Sequence, residues 1–98
     1  MNEYFMYGIL IPESQFKAWE DGTGRKFPIG IYGNLYCKFD SRGRKFVIVG
    51  KKIKKIDNNN PIVVPELSEF EKYEIRLSVL ENFGFEGDFH YFFIKNYE

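Results

Sequence analysis

Residues 3–11 read EYFMYGILI, a run of aromatic and β-favouring side chains that stops at Pro12. This composition predicts a β-strand. Because the side chains of a strand alternate between two faces, the residues divide into two sets: Tyr4, Met6 and Leu10 against Phe5, Tyr7, Ile9 and Ile11. Both sets are apolar. We therefore expect both faces of this strand to be buried, or one of them to be a binding surface.

The segments that follow predict a helix, a hairpin and a short extended stretch. Pro12 favours the start of a helix, because the N–H that proline lacks would have no partner at the first helical position. The predicted order is a helix over ESQFKAWED (13–21), a glycine-rich irregular connection (22–34), a strand (34–40), a turn (41–44), a strand (45–56) and an extended stretch between Pro61 and Pro65.

A second helix is predicted to start at Ser68. Ser68 and Glu71 have the S-x-x-E spacing of a capping box, in which each side chain accepts a hydrogen bond from the other residue's N–H. Gly84 is expected to end the helix in the left-handed conformation. The apolar stripe predicted to face the core contains Leu67, Phe70, Leu77 and Leu80, with Tyr73 and Phe83 beside it. A last strand is predicted over FHYFFIKNY (89–97).

The order βαββαβ indicates a single α+β domain over residues 1–98. It predicts a two-layer, ferredoxin-like (split βαβ) sandwich: a four-stranded, mainly antiparallel sheet with two helices on one face. In that fold the strands lie in the order 4-1-3-2, so the last strand is at an edge of the sheet.

Composition favours a cytoplasmic protein with no cofactor. Fourteen basic and fourteen acidic residues give a formal net charge of zero, and there is one cysteine. A single cysteine cannot form an internal disulfide, which fits a reducing compartment. No membrane span or signal peptide is indicated. The many Phe, Tyr, Ile, Asn and Lys residues have AT-rich codons and suggest a phage or another mobile element of an AT-rich host.

Catalytic residues are scarce. Cys37 and His90 are predicted on opposite edge strands, too far apart for a nucleophile pair. Glu86, Asp88 and His90 alternate along the last strand, but zinc sites normally draw further His or Cys ligands from elsewhere. The segment YGIL (7–10) resembles the YGxL loop of γ-glutamylcyclotransferase-like enzymes over four residues, without a matching catalytic glutamate. We therefore predict no enzyme activity, no metal site and no small-molecule substrate.

A basic segment supports an alternative function. Between residues 42 and 55 there are seven basic residues and no acidic one: Arg42, Arg44, Lys45, Lys51, Lys52, Lys54 and Lys55. Basic strands beside aromatic ones are typical of proteins that bind single-stranded nucleic acid. RGRKFVIV (42–49) resembles the third-strand motif of RNA-recognition-motif domains at Arg42, Gly43, Phe46 and Val47, and the resemblance would imply binding of single-stranded RNA or DNA. The segment departs from that motif at Arg44 and Val49, where aromatic residues are expected. Because the run of basic charges would act on phosphates, such binding is expected to be weak and dependent on salt.

The last strand carries the favoured prediction. An edge strand is normally protected by charge, proline or brevity, whereas residues 89–97 contain no proline and one fixed charge, Lys95. We therefore expect Phe89, Tyr91 and Phe93 to bind a protein partner or a second copy of the chain in a homodimer. The predicted function is that of a small non-enzymatic binding module, such as a phage inhibitor of a host factor. Nucleic-acid binding is the alternative, and a small enzyme comes third.

Overall fold

The structure is a computed structural model that describes residues 2–55 and 64–96. Its elements are β1 (Asn2–Pro12), α1 (Glu13–Thr23), β2 (Gly30–Tyr32), β3 (Leu35–Phe39), β4 (Phe46–Lys55), α2 (Glu69–Phe83) and β5 (His90–Asn96). The extended stretch predicted between Pro61 and Pro65 lies largely outside the described residues. Within those residues, no helix is long and apolar enough to cross a membrane.

The predicted four-stranded βαββαβ sheet is wrong. The sheet has five strands in the order β2-β3-β4-β1-β5, and every neighbouring pair is antiparallel. The additional strand β2 comes from the segment expected to be irregular. Gly33 adopts a positive φ of 61° in the two-residue loop between β2 and β3, which lets a short hairpin form there. As a result, β2 and β5 are the two edges of the sheet.

Both faces of β1 are buried except at Leu10, which is 43% exposed, so the first of the two expectations for its apolar sets is largely met. Ile9 and Ile11 belong to a core cluster that also contains residues of both helices. Tyr4 and Met6 belong to a second cluster, with Ile48 of β4 on the sheet face away from the helices. We call that face the open face. The aromatic content of the chain is thus divided between two cores on the two sides of one sheet.

A pair of glycines lets β1 and β4 approach each other closely. Gly8 lies directly opposite Gly50. A Cβ atom on Gly50 would collide with the backbone oxygen of Tyr7 and lie 2.8 Å from its carbonyl carbon. A Cβ atom on Gly8 would lie 2.9 Å from the carbonyl carbon of Val49. The sheet therefore requires glycine at both positions.

The helix boundaries follow local signals. The predicted capping box is confirmed: Ser68 Oγ accepts a hydrogen bond from Glu71 N, and Glu71 Oε1 accepts one from Ser68 N, both at 3.1 Å. Gly84 has a φ of 76° and ends α2 as predicted. Helix α1 is two residues longer than predicted: Gly22, the first residue of the predicted irregular connection, lies inside the helix, and Gly24 is its left-handed cap.

The buried face of α2 is not the one predicted. Ile75, Val79 and Phe83 point into the core, whereas Phe70 and Leu80 are exposed. The two stripes have equally suitable helical spacing, so the sequence pattern alone did not distinguish them. Because α2 lies on the sheet with the other stripe inward, four large apolar side chains remain on the surface.

Candidate functional site

The exposed stripe of α2 contains four of the nine large apolar side chains that are exposed in the described residues. Phe70 is 68% exposed, Tyr73 54%, Leu77 36% and Leu80 38%. Their spacing of three, four and three residues aligns them along one side of the helix. We call these four residues the α2 surface. It is the spacing by which amphipathic helices present anchors to a partner.

A groove runs beside the α2 surface. It has a volume of about 270 Å³ and separates α2 from the segment that leads into β5. Its lining consists of Tyr73, Arg76, Leu77, Leu80, Phe85, Glu86, Gly87 and Phe89. The groove therefore extends the α2 surface toward the start of β5 and adds two phenylalanine rings to it.

Hydrogen bonds fix α2 over the sheet at this point. Arg76 Nη1 donates to the hydroxyl of Tyr7 at 3.1 Å. The backbone N–H of Leu67, just before the helix, donates to the hydroxyl of Tyr91 at 3.0 Å. These two contacts join the middle of α2 to β1 and the segment just before the helix to β5.

Acidic side chains surround the α2 surface. Glu69, Glu74 and Glu81 are exposed on α2, and Glu86 is exposed on the opposite wall of the groove. Glu69 pairs with Lys72 at 3.4 Å, although this is a surface pair of small energy. Four glutamates, against Arg76 in the groove and the paired Lys72, give the surroundings of the stripe a net negative charge.

Two of the residues predicted to bind a partner, Phe89 and Tyr91, are brought together beneath α2. The ring of Phe89 stacks on Tyr7 with centroids 5.7 Å apart, and the ring of Tyr91 lies 5.2 Å from the same tyrosine. Both are half-buried. Phe93 lies further along the strand, against Phe5, and is 41% exposed. In the described chain, β5 pairs with β1 alone, so its outer side is an edge of the sheet.

The basic residues of the alternative prediction do not share one face. Lys51 lies opposite Tyr7 on the helix side of the sheet. Hydrogen bonds from Ser68 are the main cause of the lowered pKa of Glu71, and the charge of Lys51 lowers it further. Lys52 lies on the open face, with its Nζ 4.4 Å from the ring centroids of both Tyr4 and Tyr36. Arg42 and Lys45 are exposed in the turn before β4. The side chains of Lys54 and Lys55 lie outside the described residues.

Arg44 is engaged within the protein. Its guanidinium lies over the rings of Phe39 and Phe16, with its central carbon 4.6 and 5.3 Å from the two centroids. Its Nη2 donates to Glu20 Oε2 at 3.2 Å. Arg44 also has a positive φ of 57°, so its backbone adopts the left-handed conformation to make these contacts. It is therefore less available for phosphate than the sequence indicated.

Glu20 links α1 to two other segments. Besides Arg44, its Oε2 accepts a hydrogen bond from the backbone N–H of Phe27 at 2.8 Å. The bond from Phe27 is the largest influence on this carboxyl group, and with Arg44 it holds the pKa of Glu20 below its usual value of 4.5. The ionised form is thus favoured by folding.

Acid is expected to weaken the fold partly through Glu20. A carboxyl group whose pKa is lower in the folded state stabilises the protein above its unfolded pKa, and this contribution is lost as the pH falls through the folded pKa. The urea midpoint should therefore decrease as the pH is lowered from about 5 through the region below 4.5. In Glu20→Gln, which keeps an acceptor for Phe27, the decrease should be shallower than in wild type. Identical pH profiles for the two proteins would contradict this role.

Cys37 and His90 are not close enough to form a catalytic pair. They belong to β3 and β5, three strand spacings apart, or roughly 14 Å. Cys37 is buried on the helix side, and burial raises the pKa of its thiol to about 12. His90 is exposed on the open face beside Phe92. Among the described residues, no group of three or more His, Cys, Asp or Glu is placed to hold a metal ion.

The open face is the side of the sheet that the helices do not cover, and it carries several aromatic side chains. A groove of about 420 Å³ lies there, with Phe46, Ile48, Phe92 and Ile94 in its lining. Phe46 and Phe92 are half-buried, and Tyr4 is almost fully buried. Burial, followed by the neighbouring Tyr36, raises the pKa of Tyr4. The rings are packed on the second core cluster, which leaves less ring area for stacking on bases than an open aromatic platform offers.

Comparison with known proteins supplies no function. No protein-family model, curated protein or solved structure matches this chain. Function is therefore inferred from the α2 surface, the groove beside it and the edge of β5. One sequence signal does indicate the α2 surface, namely the helical spacing of residues 70, 73, 77 and 80. The same spacing is typical of a buried stripe, so the sequence alone predicts it as core.

Proposed function

We propose that this chain is a non-enzymatic binding module that holds a protein partner on the α2 surface. The exposure of Phe70, Tyr73, Leu77 and Leu80 carries the proposal. Contiguous apolar patches on soluble domains commonly mark interaction sites. Fully burying one such side chain is worth about 1.5–3 kcal/mol. Four of them on one helix side could therefore anchor a partner.

The surroundings of the α2 surface favour one class of partner. The glutamates on its rim would attract Lys or Arg and repel acidic sequences, which contributes specificity and association rate. The groove beside Phe85 and Phe89 provides a concave site for a large side chain. The partner that fits is an amphipathic helix with apolar anchors three and four residues apart and basic residues at their borders.

Other functions have less support from the geometry. Nucleic-acid binding stays a prediction from the basic segment, because Arg44 is engaged by Glu20 and because Lys51 and Lys52 lie on opposite faces. Inhibition of a host factor remains a prediction from the AT-rich codon usage. A cytosolic location remains a prediction from the single cysteine.

The α2 surface can be tested by photo-cross-linking. A photoreactive amino acid at Tyr73 should label a helical segment with Lys or Arg beside its apolar residues, identified by mass spectrometry of the cross-linked peptide. Leu77→Lys combined with Leu80→Lys should reduce the labelling more than about tenfold, because two anchors are lost and the new charges repel a basic partner. The melting temperature should fall only modestly, since both side chains are more than a third exposed, and the circular dichroism spectrum should be unchanged.

Leu10→Lys is the matched control. Leu10 is 43% exposed, a fraction similar to the 38% of Leu80. It lies on the other side of the sheet, opposite Ile48 on the open face. This variant should keep the labelling of wild type. Equal labelling in the double variant and wild type, or a cross-linked peptide rich in acidic residues, would rule out the proposed site.

A further inference from the structure

We infer that the outer edge of β5 pairs with β5 of a second copy of this chain, so that two sheets join into one of ten strands. This dimer uses a different surface from the proposed binding site, so the inference does not depend on the proposed function. Antiparallel addition of a strand to a sheet edge satisfies a row of backbone N–H and C=O groups that would otherwise rely on water.

The β5 edge lacks the features that normally prevent such pairing. The strand has seven residues and, in its described part, is straight enough to pair with β1 from Asn2 to Gly8 without a register shift. It contains no proline. Lys95 is its one fixed charge, and Phe93 is 41% exposed beside it. An edge of this composition is open to another strand.

The side-chain pattern of β5 matches itself in one antiparallel register. With a two-fold axis perpendicular to the sheet at Phe93, Phe93 lies opposite Phe93 of the second copy. Phe92 then lies opposite Ile94, and Tyr91 opposite Lys95. Directly opposed aromatic and aliphatic side chains stabilise antiparallel pairs, whereas like charges would destabilise them. Here each Lys95 lies opposite a tyrosine, so no two lysines face each other.

The symmetry also determines where the α2 surfaces lie. A two-fold axis perpendicular to the sheet keeps each face on its own side, so both α2 helices lie on the same face of the ten-stranded sheet. The groove between α2 and Phe89 shows that the α2 surface is turned toward β5. In the dimer, the two α2 surfaces therefore border a common trough above the paired β5 strands.

A second copy fits this edge better than an unrelated strand does. The pairing requires no acid to balance Lys95, and it presents the same apolar sequence from both sides. It would also cover the exposed part of Phe93: in the dimer, the ring of Phe93, which is 41% exposed and lies on Phe5, would pack against its own counterpart.

Light scattering coupled to size exclusion tests the association. Wild type should have twice the monomer mass, and Phe93→Lys, which places two lysines opposite each other, should be monomeric with an unchanged circular dichroism spectrum. A wild type that stays monomeric at high concentration, or a Phe93→Lys variant that remains dimeric, would overturn the inference.

Cross-linking tests the register. Phe93→Cys should be joined rapidly by a short bis-maleimide, because the two positions are opposite each other. Lys95→Cys should not, since its two copies would be four residues apart along the paired strands, or about 14 Å. The native Cys37 does not interfere because it is buried. If two copies of the Lys95→Cys variant are cross-linked as fast as two copies of the Phe93→Cys variant, this register is refuted. Cross-linking at Tyr73 reports separately on the α2 surface, so either proposal can fail alone.

Discussion

Gly50→Ala is expected to abolish cooperative folding. The added Cβ would collide with the backbone of Tyr7 and lie 2.5 Å from the Cα of Gly8. These are backbone atoms of β1, so no side-chain rotation can relieve the contact, and the two strands would have to separate. A cost above about 4 kcal/mol is exceptional for one substitution, yet it approaches the entire stability of a small domain, which is about 5–15 kcal/mol.

Gly22→Ala is the matched control for this substitution. Gly22 lies inside α1, and a Cβ atom there would have no other atom within 4 Å. Alanine should therefore stabilise the helix by about 0.5–1 kcal/mol. Both variants can be compared by thermal unfolding followed by circular dichroism. A Gly50→Ala protein that unfolds cooperatively near the wild-type melting temperature would show that β1 and β4 can move apart at little cost.

Phe16→Ala is expected to give the next largest loss of stability, about 3–5 kcal/mol. Phe16 is fully buried, with its ring centroid 5.3 Å from that of Phe39 and 6.1 Å from that of Phe27. Truncation would leave a cavity beneath α1 and remove one of the two rings under Arg44. At roughly 4 °C or more per kcal/mol for a domain of this size, the melting temperature should fall by more than about 12 °C.

Phe70→Ala makes the same chemical change on the surface. Because Phe70 is 68% exposed, the change in unfolding free energy should be within about 0.5 kcal/mol of zero. Urea unfolding of both variants measures the contrast. A large loss for Phe70→Ala would mean that its ring belongs to a core, as the sequence pattern predicted, and would remove the basis of the α2 surface.

The parts of the fold that depend on neighbouring residues were predictable. The capping box at Ser68 and Glu71, the left-handed Gly84 and the apolar run of β1 each depend on a few adjacent side chains. Strand β2 was not predictable in this way, because Gly30–Tyr32 has too few residues for a recognisable pattern. It exists because β3 supplies a pairing edge and Gly33 permits the tight loop.

The orientation of α2 required information that the sequence pattern does not contain. Residues 70, 73, 77 and 80 form one helical stripe, and Ile75, Val79 and Phe83 form another. Which stripe faces inward depends on how α2 crosses the sheet, and that is set by distant contacts such as Arg76 with Tyr7. For the same reason Arg44 was taken for a surface cation: its partner Glu20 is on α1, 24 residues away.

The position of β1 in the sheet has a consequence for how the chain folds. Strands β2, β3 and β4 follow one another closely and can form a local meander. In contrast, β1 must pair with β4 across α1, β2 and β3, and with β5 across most of the chain, where Asn2 lies opposite Asn96. Closing such long loops costs entropy before the contacts are gained, and sheets rich in distant pairings fold over milliseconds to seconds. During that interval the most apolar strand lacks its neighbours, so refolding competes with aggregation between β1 strands of different chains.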